Sequence, residues 1–378
     1  MKLKSLFLLI LLTIVFIFPS YSFANSFNAM KNIDVTQSFE DARYEKAIII
    51  SVDDKEEPDE YGNMAQNIKV KLLSGNDKGK IINVINYMST YLNTNLDLKV
   101  NQKVLISIDK DMDGNDVYSV SDYLRTDYIY ILMGVFILIL LFVGRKKGLL
   151  TIVSLIITLV IIFFVSIPLI IKGHSPILIA VISSFIISFI SLLIVGGFNL
   201  KTISAILGTS FGAILAGVIA FLVGTKIHLT GLSLDETQML LYLPDDLVLD
   251  PGELLFAGII WGSIGAVMDV GMSVSSSIQE ISRANESFGF KELFKSGMNV
   301  GRDIMATMSN TLILAYMGSA LPLILLVIIY QENNFKILNL DVIATEIVRS
   351  LSGSIGLILS IPITALIAAF LIEKNSNK

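Results

Sequence analysis

The feature that most constrains this chain is a succession of long apolar runs that begins near residue 128 and continues almost to the end. Each run is long enough for a helix to cross about 30 Å of hydrocarbon. Only 16% of the residues are charged, whereas soluble domains carry about 25%. The pattern predicts an α-helical polytopic membrane protein with about seven transmembrane helices. The runs are 128–144, 149–171, 176–195, 203–224, 253–277, 304–329 and 351–372.

The N-terminus has the pattern of a secretory signal peptide. Lys2 and Lys4 precede an apolar run over residues 6–18, and small residues follow at Ser22 and Ala24. A charged start, a short apolar stretch and a small-x-small end are typical of a cleaved signal. We therefore predict a signal peptide at 1–24. A retained signal anchor, which would add one helix, is the alternative, and in either case the segment that follows is exported.

The segment 25–126 differs in composition from the rest of the chain. Charged residues are frequent, and turn-rich stretches such as SGNDKGK separate short apolar groups. Short alternating runs between Gly, Asn and Asp turns predict a small β-barrel or sandwich, with an OB-like barrel among the options. The predicted strands are 46–52, 67–73, 80–85, 103–108 and 116–121. This β-rich domain is expected outside the membrane, before a transmembrane domain at 127–372 and a tail at 373–378.

Lys and Arg residues in the short loops predict the orientation of the chain. With the β-rich domain outside, the inside loops and the tail hold ten of them and the short outside loops hold four. Loops with more Lys and Arg stay in the cytoplasm. We therefore expect a bacterial plasma-membrane protein with its N-terminal domain outside and its C-terminus in the cytoplasm.

An acidic residue, Asp269, lies within the apolar run 253–277. Residues three and four apart share one face of a helix. In chain order, the face that contains this residue carries Gly258, Gly262, Ala266, Asp269, Ser273, Ser276 and Glu280. The three small residues at its start predict close helix packing. The polar residues predict a face that meets protein or water, because a lipid-facing carboxylate is costly.

The next apolar run offers polar groups at a similar depth. Thr307 and Asn310 enter the bilayer from the same side as Asp269, and together with Ser273 and Ser276 they predict a path for a substrate or an ion. The alternative is that the Asp269 carboxylate binds Asn310 and hydroxyls only to fix the register of two helices. Glu280, Arg302 and Asp303 are expected at the cytosolic mouth of the path. Helical spacing of Phe290, Leu293, Phe294 and Met298 predicts a short amphipathic helix on the inner leaflet.

Several classes of function have no residues to support them. The chain contains no cysteine, so a cysteine-based metal, redox or disulfide site is excluded. No HExxH or phosphate-binding glycine loop is present. The formal net charge of -5 gives no indication of nucleic-acid binding. We therefore expect neither an enzyme nor a bound cofactor or metal.

Two resemblances add to this interpretation. The segment GAVMDVGMSVSSSIQEI and the later LFKSGMNVGRDIMATMSNTLILAYMGSALPLILL resemble the YibE/F family of bacterial multi-pass membrane proteins. The likeness implies a signal-led protein with transport as the expected activity, and it supplies no catalytic residues. An Asp in a span followed by R-x-x-x-x-T at the next span also looks like part of the proton-driven resistance-nodulation-division permeases. The layout departs from theirs, since no internal duplication is visible.

The sequence therefore favours a plasma-membrane permease or channel-like protein for a small solute or ion, with proton coupling through Asp269. The alternative is a non-transporting membrane scaffold that anchors the exported β domain for partner binding. The expected partners are the lipid bilayer, a small solute or ion, and a second copy of the chain or a second membrane protein.

Overall fold

A computed structural model of the chain describes most of the sequence after residue 42. The described residues are 43–54, 57, 63–89, 95–110, 114–233, 235–242, 249–330 and 333–376. The predicted signal peptide lies outside them. The described chain forms two compact units, one that ends at Ile139 and one that begins at Leu140.

The first unit contains a closed five-stranded β-barrel. Its strands are β1 (Arg43–Val52), β2 (Asn63–Leu72), β3 (Ile81–Ser89), β4 (Lys103–Lys110) and β5 (Asp116–Tyr123). They close in the order β1-β2-β3-β5-β4. Strands β4, β1, β2 and β3 form an antiparallel Greek key, and β5 pairs antiparallel with β4 and parallel with β3. A five-stranded Greek-key barrel is the architecture of the OB fold, so the predicted strands and the barrel option are confirmed.

Alternation of side chains along the strands builds the interior of the barrel. In β3, for example, every second residue is buried, from Ile82 to Met88. Successive strand residues point to opposite faces, so one set fills the barrel and the other faces outward. The interior consists of large aliphatic side chains, with Ile49, Ile68, Val70, Leu72, Val104 and Ile106 at most 1% exposed. The hydrophobic effect therefore stabilises this unit in the ordinary way of a soluble domain.

The rest of the chain is helical. The helices are α1 (Thr126–Ile161), α2 (Ile167–Ile171), α3 (Pro176–Gly196), α4 (Leu200–Lys226), α5 (Asp235–Gln238), α6 (Pro251–Ala284), α7 (Phe290–Ser319), α8 (Leu321–Ile329), α9 (Asn334–Leu338) and α10 (Asp341–Ser376). A π-helical turn, Ile162–Ser166, joins α1 to α2, and a 3₁₀ turn, Met239–Tyr242, follows α5. Among the described residues, five helical segments are long and apolar enough to span a membrane.

The first of these segments, from α1 to α2, contains a break at Arg145. It has 46 residues, which is about 69 Å of helix, more than twice the hydrocarbon thickness. Arg145 has φ 49° and ψ -124°, which no α-helix accommodates. A Cβ at Gly148 would collide with the carbonyl of Leu140, so the chain folds back at this point. The two crossings predicted at 128–144 and 149–171 thus meet at a tight turn.

Helices α7 and α8 form the remaining candidate crossing. Their axes differ by 65° across Ala320, where Pro322 begins a new helix. A straight crossing was expected over 304–329, and the proline explains the difference because it removes a backbone donor. The short surface helix predicted around Phe290 is also wrong as a separate element, since its residues are the first turns of α7. Gly297 contacts Ile278 of α6, and this contact draws these turns into the bundle.

The closest helix contact in the bundle joins α4 to α10. Small residues spaced four apart on each helix meet in antiparallel register. The pairs in contact are Gly208 with Thr364, Gly212 with Ser360, and Ala216 with Gly356. Small side chains allow two backbones to approach closely, which is how helices associate where lipid removes the hydrophobic drive. Helix α6 packs against this pair, because Val267 Cγ1 lies 2.8 Å from the position that a Cβ would take at Gly212.

Candidate functional site

Helix α6 is built from two unlike faces. Asp250 caps its N-terminus by accepting hydrogen bonds from Gly252 N at 2.8 Å and Glu253 N at 3.2 Å, and Pro251 occupies the first turn. Cap and proline fix where the helix begins. The buried face is apolar and includes Val267, Val270, Val274 and Ile278, none of which is exposed. The opposite face carries Asp269.

The side chain of Asp269 is exposed on that second face. Among the described residues, its carboxylate has no hydrogen-bond or ion-pair partner. It lies about 27 Å along the helix from Pro251 and about 22 Å from Ala284, so it is near the middle of a helix of 34 residues. Ser273 is exposed below it and Ser276 is half-buried. The predicted polar face of α6 therefore stands open along the chain's own surface.

The small residues of the same face do not pack as one seam. Apart from the helix's own nearby backbone, no atom of the described residues lies within 4 Å of the position that a Cβ would take at Gly258 or at Gly265. Gly262 lies against the hydroxyl of Tyr316 in α7, 2.6 Å from the Cβ position, and Ala266 is half-buried. Within this chain, therefore, only part of the predicted packing face contacts another helix. The tight small-residue contact is the one between α4 and α10.

Contacts between α6 and α7 give the depth of each residue along the two helices. The contacting pairs are Gly262 with Tyr316, Val274 with Gly301, and Ile278 with Gly297. Because the helices are antiparallel, this register places Thr307 at the level of Asp269 and Asn310 at the level of Ala266. The polar residues of the two helices thus lie at the same depth, as the sequence predicts.

They do not face each other, however. Helix α7 meets the bundle through Gly297, Gly301 and Leu312, which are buried. Asn310 follows Gly301 by about two and a half helical turns, so it points away from the bundle. Thr307 is also exposed, and its hydroxyl donates to the carbonyl oxygen of Ile304 at 3.0 Å. The expected pairing of Asp269 with Asn310 in one chain is absent from the described contacts, because glycines on the other face of α7 direct its packing.

The three residues predicted at the cytosolic mouth are exposed. Glu280 accepts a hydrogen bond from Arg283 one turn later, at 2.9 Å. Arg302 donates to the side chain of Asn299 at 3.2 Å. Asp303 lies at the level of Ser273 by the same register. Glu280 lies near the end of α6, whereas Arg302 and Asp303 lie about 18–20 Å along α7 from Phe290. The structure therefore does not bring the three residues to one level, and their described contacts are each within a single helix.

A partly buried ion pair that the sequence did not indicate lies in α10. Glu346 and Arg349 of α10 form an ion pair of 2.5 Å, with side chains 17% and 23% exposed. Both act electrostatically on Tyr316, whose hydroxyl is buried and has no hydrogen-bond partner among the described residues. Arg349 is one of the four Lys and Arg residues that the sequence analysis assigns to the short outside loops, because the apolar run that follows it begins at residue 351. The Glu-x-x-Arg spacing of an ion pair on one helix face was the available signal.

The described residues also bear on metal binding. Among them, no three His, Asp or Glu side chains gather closely enough to hold a metal ion. Midway along the polar face of α6, the available chemistry is that of the Asp269 carboxylate with the hydroxyls of Ser273 and Ser276 on the same face. Such a group can exchange a proton or pair with a cation.

Comparison with protein families covers both units of the chain. Residues 132–374 match the family model described as YibE/F-like protein, and residues 41–123 match the YibE/F family N-terminal domain. No curated protein and no solved structure is detectably similar to the chain. The two matches span the helical bundle and the β-barrel in the expected order. The chain therefore belongs to the YibE/F family.

Proposed function

We propose that the chain is a plasma-membrane permease or channel-like protein that moves a small solute or an ion, with Asp269 as the central group of its path. One observation carries the proposal: an exposed carboxylate with no described partner lies midway along an apolar helix. The solute is not chemically changed in this proposal, because the path needs only a group that binds and releases.

The cost of leaving Asp269 in lipid supports this function. A carboxylate that faces hydrocarbon at the centre of a bilayer costs about 2.5–3.5 kcal/mol on insertion scales. The cost falls when the face meets water or a polar group. Gly265 lies four residues before Asp269 on the same face, and the described chain leaves the space at its Cβ position open for water. A carboxylate in contact with water there can hold either a proton or a cation, and exchange between them is the proposed coupling step.

The partly buried ion pair of α10, together with Tyr316 of α7, supplies a second polar site on the path. Tyr316 lies against Gly262, about 10 Å along α6 from Asp269. With the N-terminal domain outside and the C-terminus in the cytoplasm, Tyr316 and its neighbours are on the outer side and Glu280 is on the inner side. The proposed path therefore has polar groups at three levels of one face.

A second candidate function is a membrane scaffold that binds a partner through the same surface. The observation that favours it is the outward direction of Thr307 and Asn310, which offers hydrogen-bonding groups to another protein. Polar side chains of this kind hold transmembrane helices together at about 0.6 kcal/mol each on average. In the scaffold, Asp269 would bind a partner helix and no solute would move.

Reconstitution in liposomes separates the two functions. Purified protein is placed in vesicles with an imposed gradient of H⁺, Na⁺ or K⁺, and dissipation is followed with an ion-sensitive dye. We expect Asp269→Asn to slow the flux about tenfold or more. Glu286→Gln is the matched control, because it removes an exposed carboxylate from the loop after α6 and should leave the flux unchanged.

Two results would contradict the permease. One is a wild-type flux no greater than that of empty vesicles, combined with loss of assembly in Asp269→Asn or Asn310→Ala, which is what the scaffold predicts. The other is a flux that Asp269→Asn leaves unchanged. Size-exclusion profiles of each variant in detergent show whether a lost flux reflects a lost fold.

A further inference from the structure

A cleft of about 740 Å³ lies between one end of the β-barrel and the first turns of α1. Both walls belong to the same compact unit, which extends to Ile139. One wall consists of the turn before β4 and the end of β5, and the other is the start of α1. Its volume lies within the range of about 300–1,000 Å³ that is usual for ligand sites.

The barrel-side wall is polar and carries cations. Lys103 donates to Asp127 at 2.6 Å, and Arg125 forms an ion pair with Asp122. Their side chains are nonetheless 50% and 61% exposed. Lysine has three N–H donors and arginine has five, so each retains donors that its carboxylate does not use. These remaining donors point to an anionic ligand.

The charged side chains around the cleft also carry a net positive charge. Asp127 faces two lysines, since Lys46 lies 3.5 Å from its other carboxylate oxygen. With Arg125 paired to Asp122, the local group has one more cation than anions. A phosphate that accepts from Lys103 and Arg125 would supply the missing negative charge, in the strong charge-assisted geometry that these side chains favour.

The helix-side wall is apolar. Ile129, Ile131 and Leu132 line the cleft, and their side chains are 52%, 61% and 70% exposed. The apolar run of α1 begins at Tyr128, beside the charged residues. Tyrosines are enriched where a span meets the headgroup region. The cleft therefore has its cations at headgroup level and its apolar wall at the start of the hydrocarbon.

From this arrangement we propose that the cleft is a binding site for an anionic phospholipid. The phosphodiester is held by Lys103 and Arg125, and the acyl chains lie along Ile129, Ile131 and Leu132. A free phosphate or a soluble organic anion shares the first part of this chemistry but leaves the apolar wall uncovered, so the lipid is the occupant that fits both walls. The bound lipid contacts the barrel and α1 at once and would restrain the angle between them.

The site is independent of Asp269 and of transport. Its residues lie at the base of the barrel and in the first turns of α1, whereas the polar face of α6 belongs to the second unit. The lipid-binding proposal therefore does not depend on the permease proposal, and the permease proposal does not depend on lipid binding.

Lipid retention by the full-length protein tests the proposal. The protein is purified in detergent with added phosphatidylglycerol, and the lipid that remains bound is counted by native mass spectrometry. We expect the double variant Lys103→Gln/Arg125→Gln to retain about tenfold less phosphatidylglycerol. Lys69→Gln/Lys71→Gln is the control, since it removes the same charge from exposed positions of β2 that do not line the cleft.

Competition distinguishes a lipid from a free anion. Inorganic phosphate or glycerol phosphate in excess should not displace the retained phosphatidylglycerol, and phosphatidylcholine should be retained less. Displacement by either soluble phosphate would overturn the lipid assignment. Equal retention by the cleft variant and the control variant would overturn the site.

Photo-crosslinking tests the site without any charge variant. A phosphatidylglycerol with a diazirine in its acyl chain is added to wild-type protein, and the labelled peptides are mapped. We expect labelling of the peptide that contains residues 129–132, at higher yield than that of α3, which also has exposed apolar residues. Equal labelling of the two helices would show only general contact with lipid and would contradict the proposal.

Discussion

The β-barrel and the helical bundle both bury large aliphatic side chains, but they differ in how their closest contacts are made. The barrel buries large aliphatic residues such as Ile68 and Ile106. The closest contact of the bundle instead uses Gly212 of α4 and Gly356 of α10. In water, burial of a large apolar side chain stabilises a fold in proportion to its area. In lipid that drive is absent between helices, and close backbone approach takes its place.

The outer surfaces of the barrel and the bundle also differ. The barrel alternates buried and exposed residues along β2 and β3, and many outward residues there are polar or charged. The bundle exposes large apolar side chains such as Phe185, Phe211 and Leu222, as a surface in lipid does. The polar face of α6 is therefore unusual for its location, which is why it, and not the barrel surface, is the candidate path.

The largest expected effect comes from filling the small-residue contact of the bundle. In Gly212→Leu, the new Cβ would lie 2.7 Å from Ser360 Cβ and 2.9 Å from the backbone oxygen of Gly356. A backbone oxygen cannot move aside as a flexible side chain does, so we expect a loss of more than about 4 kcal/mol in the free energy of unfolding. Thermal unfolding of the detergent-solubilised protein measures it.

Gly134→Leu is the matched control for this prediction. Gly134 lies within α1, and apart from the helix's own nearby backbone no atom of the described residues is within 4 Å of its Cβ position. The same substitution should therefore leave the melting temperature almost unchanged. If the two variants unfold alike, the small-residue contact is not what holds the bundle together.

The sequence anticipated local structure better than helix partners. Alternation and turn residues gave all five strands to within a few residues, and the apolar runs gave the helices. The α4–α10 contact was missed, although Gly208, Gly212 and Ala216 recur at the spacing of one helix face. Spacing shows that a face is small but not which helix it meets. The face from Gly258 to Ala266 has the same spacing and remains partly open.

The candidate site was likewise predictable only in part, because the sequence does not show which helix a face meets. Its depth was predictable, because α6 and α7 are consecutive and antiparallel. The direction of Asn310 was not, because Gly297 and Gly301 pack on the other side of α7. Arg349 was assigned to a loop because charged residues end an apolar run, yet its pairing with Glu346 lets both lie in α10. Rotation of a helix about its axis is set by neighbours that are distant in sequence.

An interior substitution in the barrel should have a smaller but still large effect. Ile106 is fully buried, and Ile106→Ala removes apolar contacts and leaves a cavity. We expect a loss of about 2–5 kcal/mol in the free energy of unfolding of the barrel. Urea-dependent pulse proteolysis of the full-length protein, read at cleavage sites within the barrel, measures it.

The comparison variant for the barrel is Ile85→Ala. This variant truncates another isoleucine, which lies on β3 and is 39% exposed. Its effect should stay within about 0.5 kcal/mol, as for other surface substitutions. Similar losses in the two variants would mean that burial of the Ile106 side chain is not what stabilises the barrel.

The smallest expected effect is the acid sensitivity of the barrel. A hydrogen bond from Arg125 holds the pKa of Asp122 below its usual range. A carboxyl whose pKa is lower in the folded state binds fewer protons there than in the unfolded state. Its contribution is therefore complete above the unfolded pKa of about 3.9, and it is lost as the pH falls through the folded pKa. We expect barrel stability to decline over that acidic range.

Asp122→Asn should make that decline shallower, because the variant has no carboxyl to protonate at this position. The pair is exposed, so added salt should weaken the difference between variant and wild type. Barrel unfolding measured by hydrogen exchange between pH 5 and pH 3, at low and high salt, tests both statements. A decline that is identical in the variant would show that other carboxylates of the barrel set its acid sensitivity.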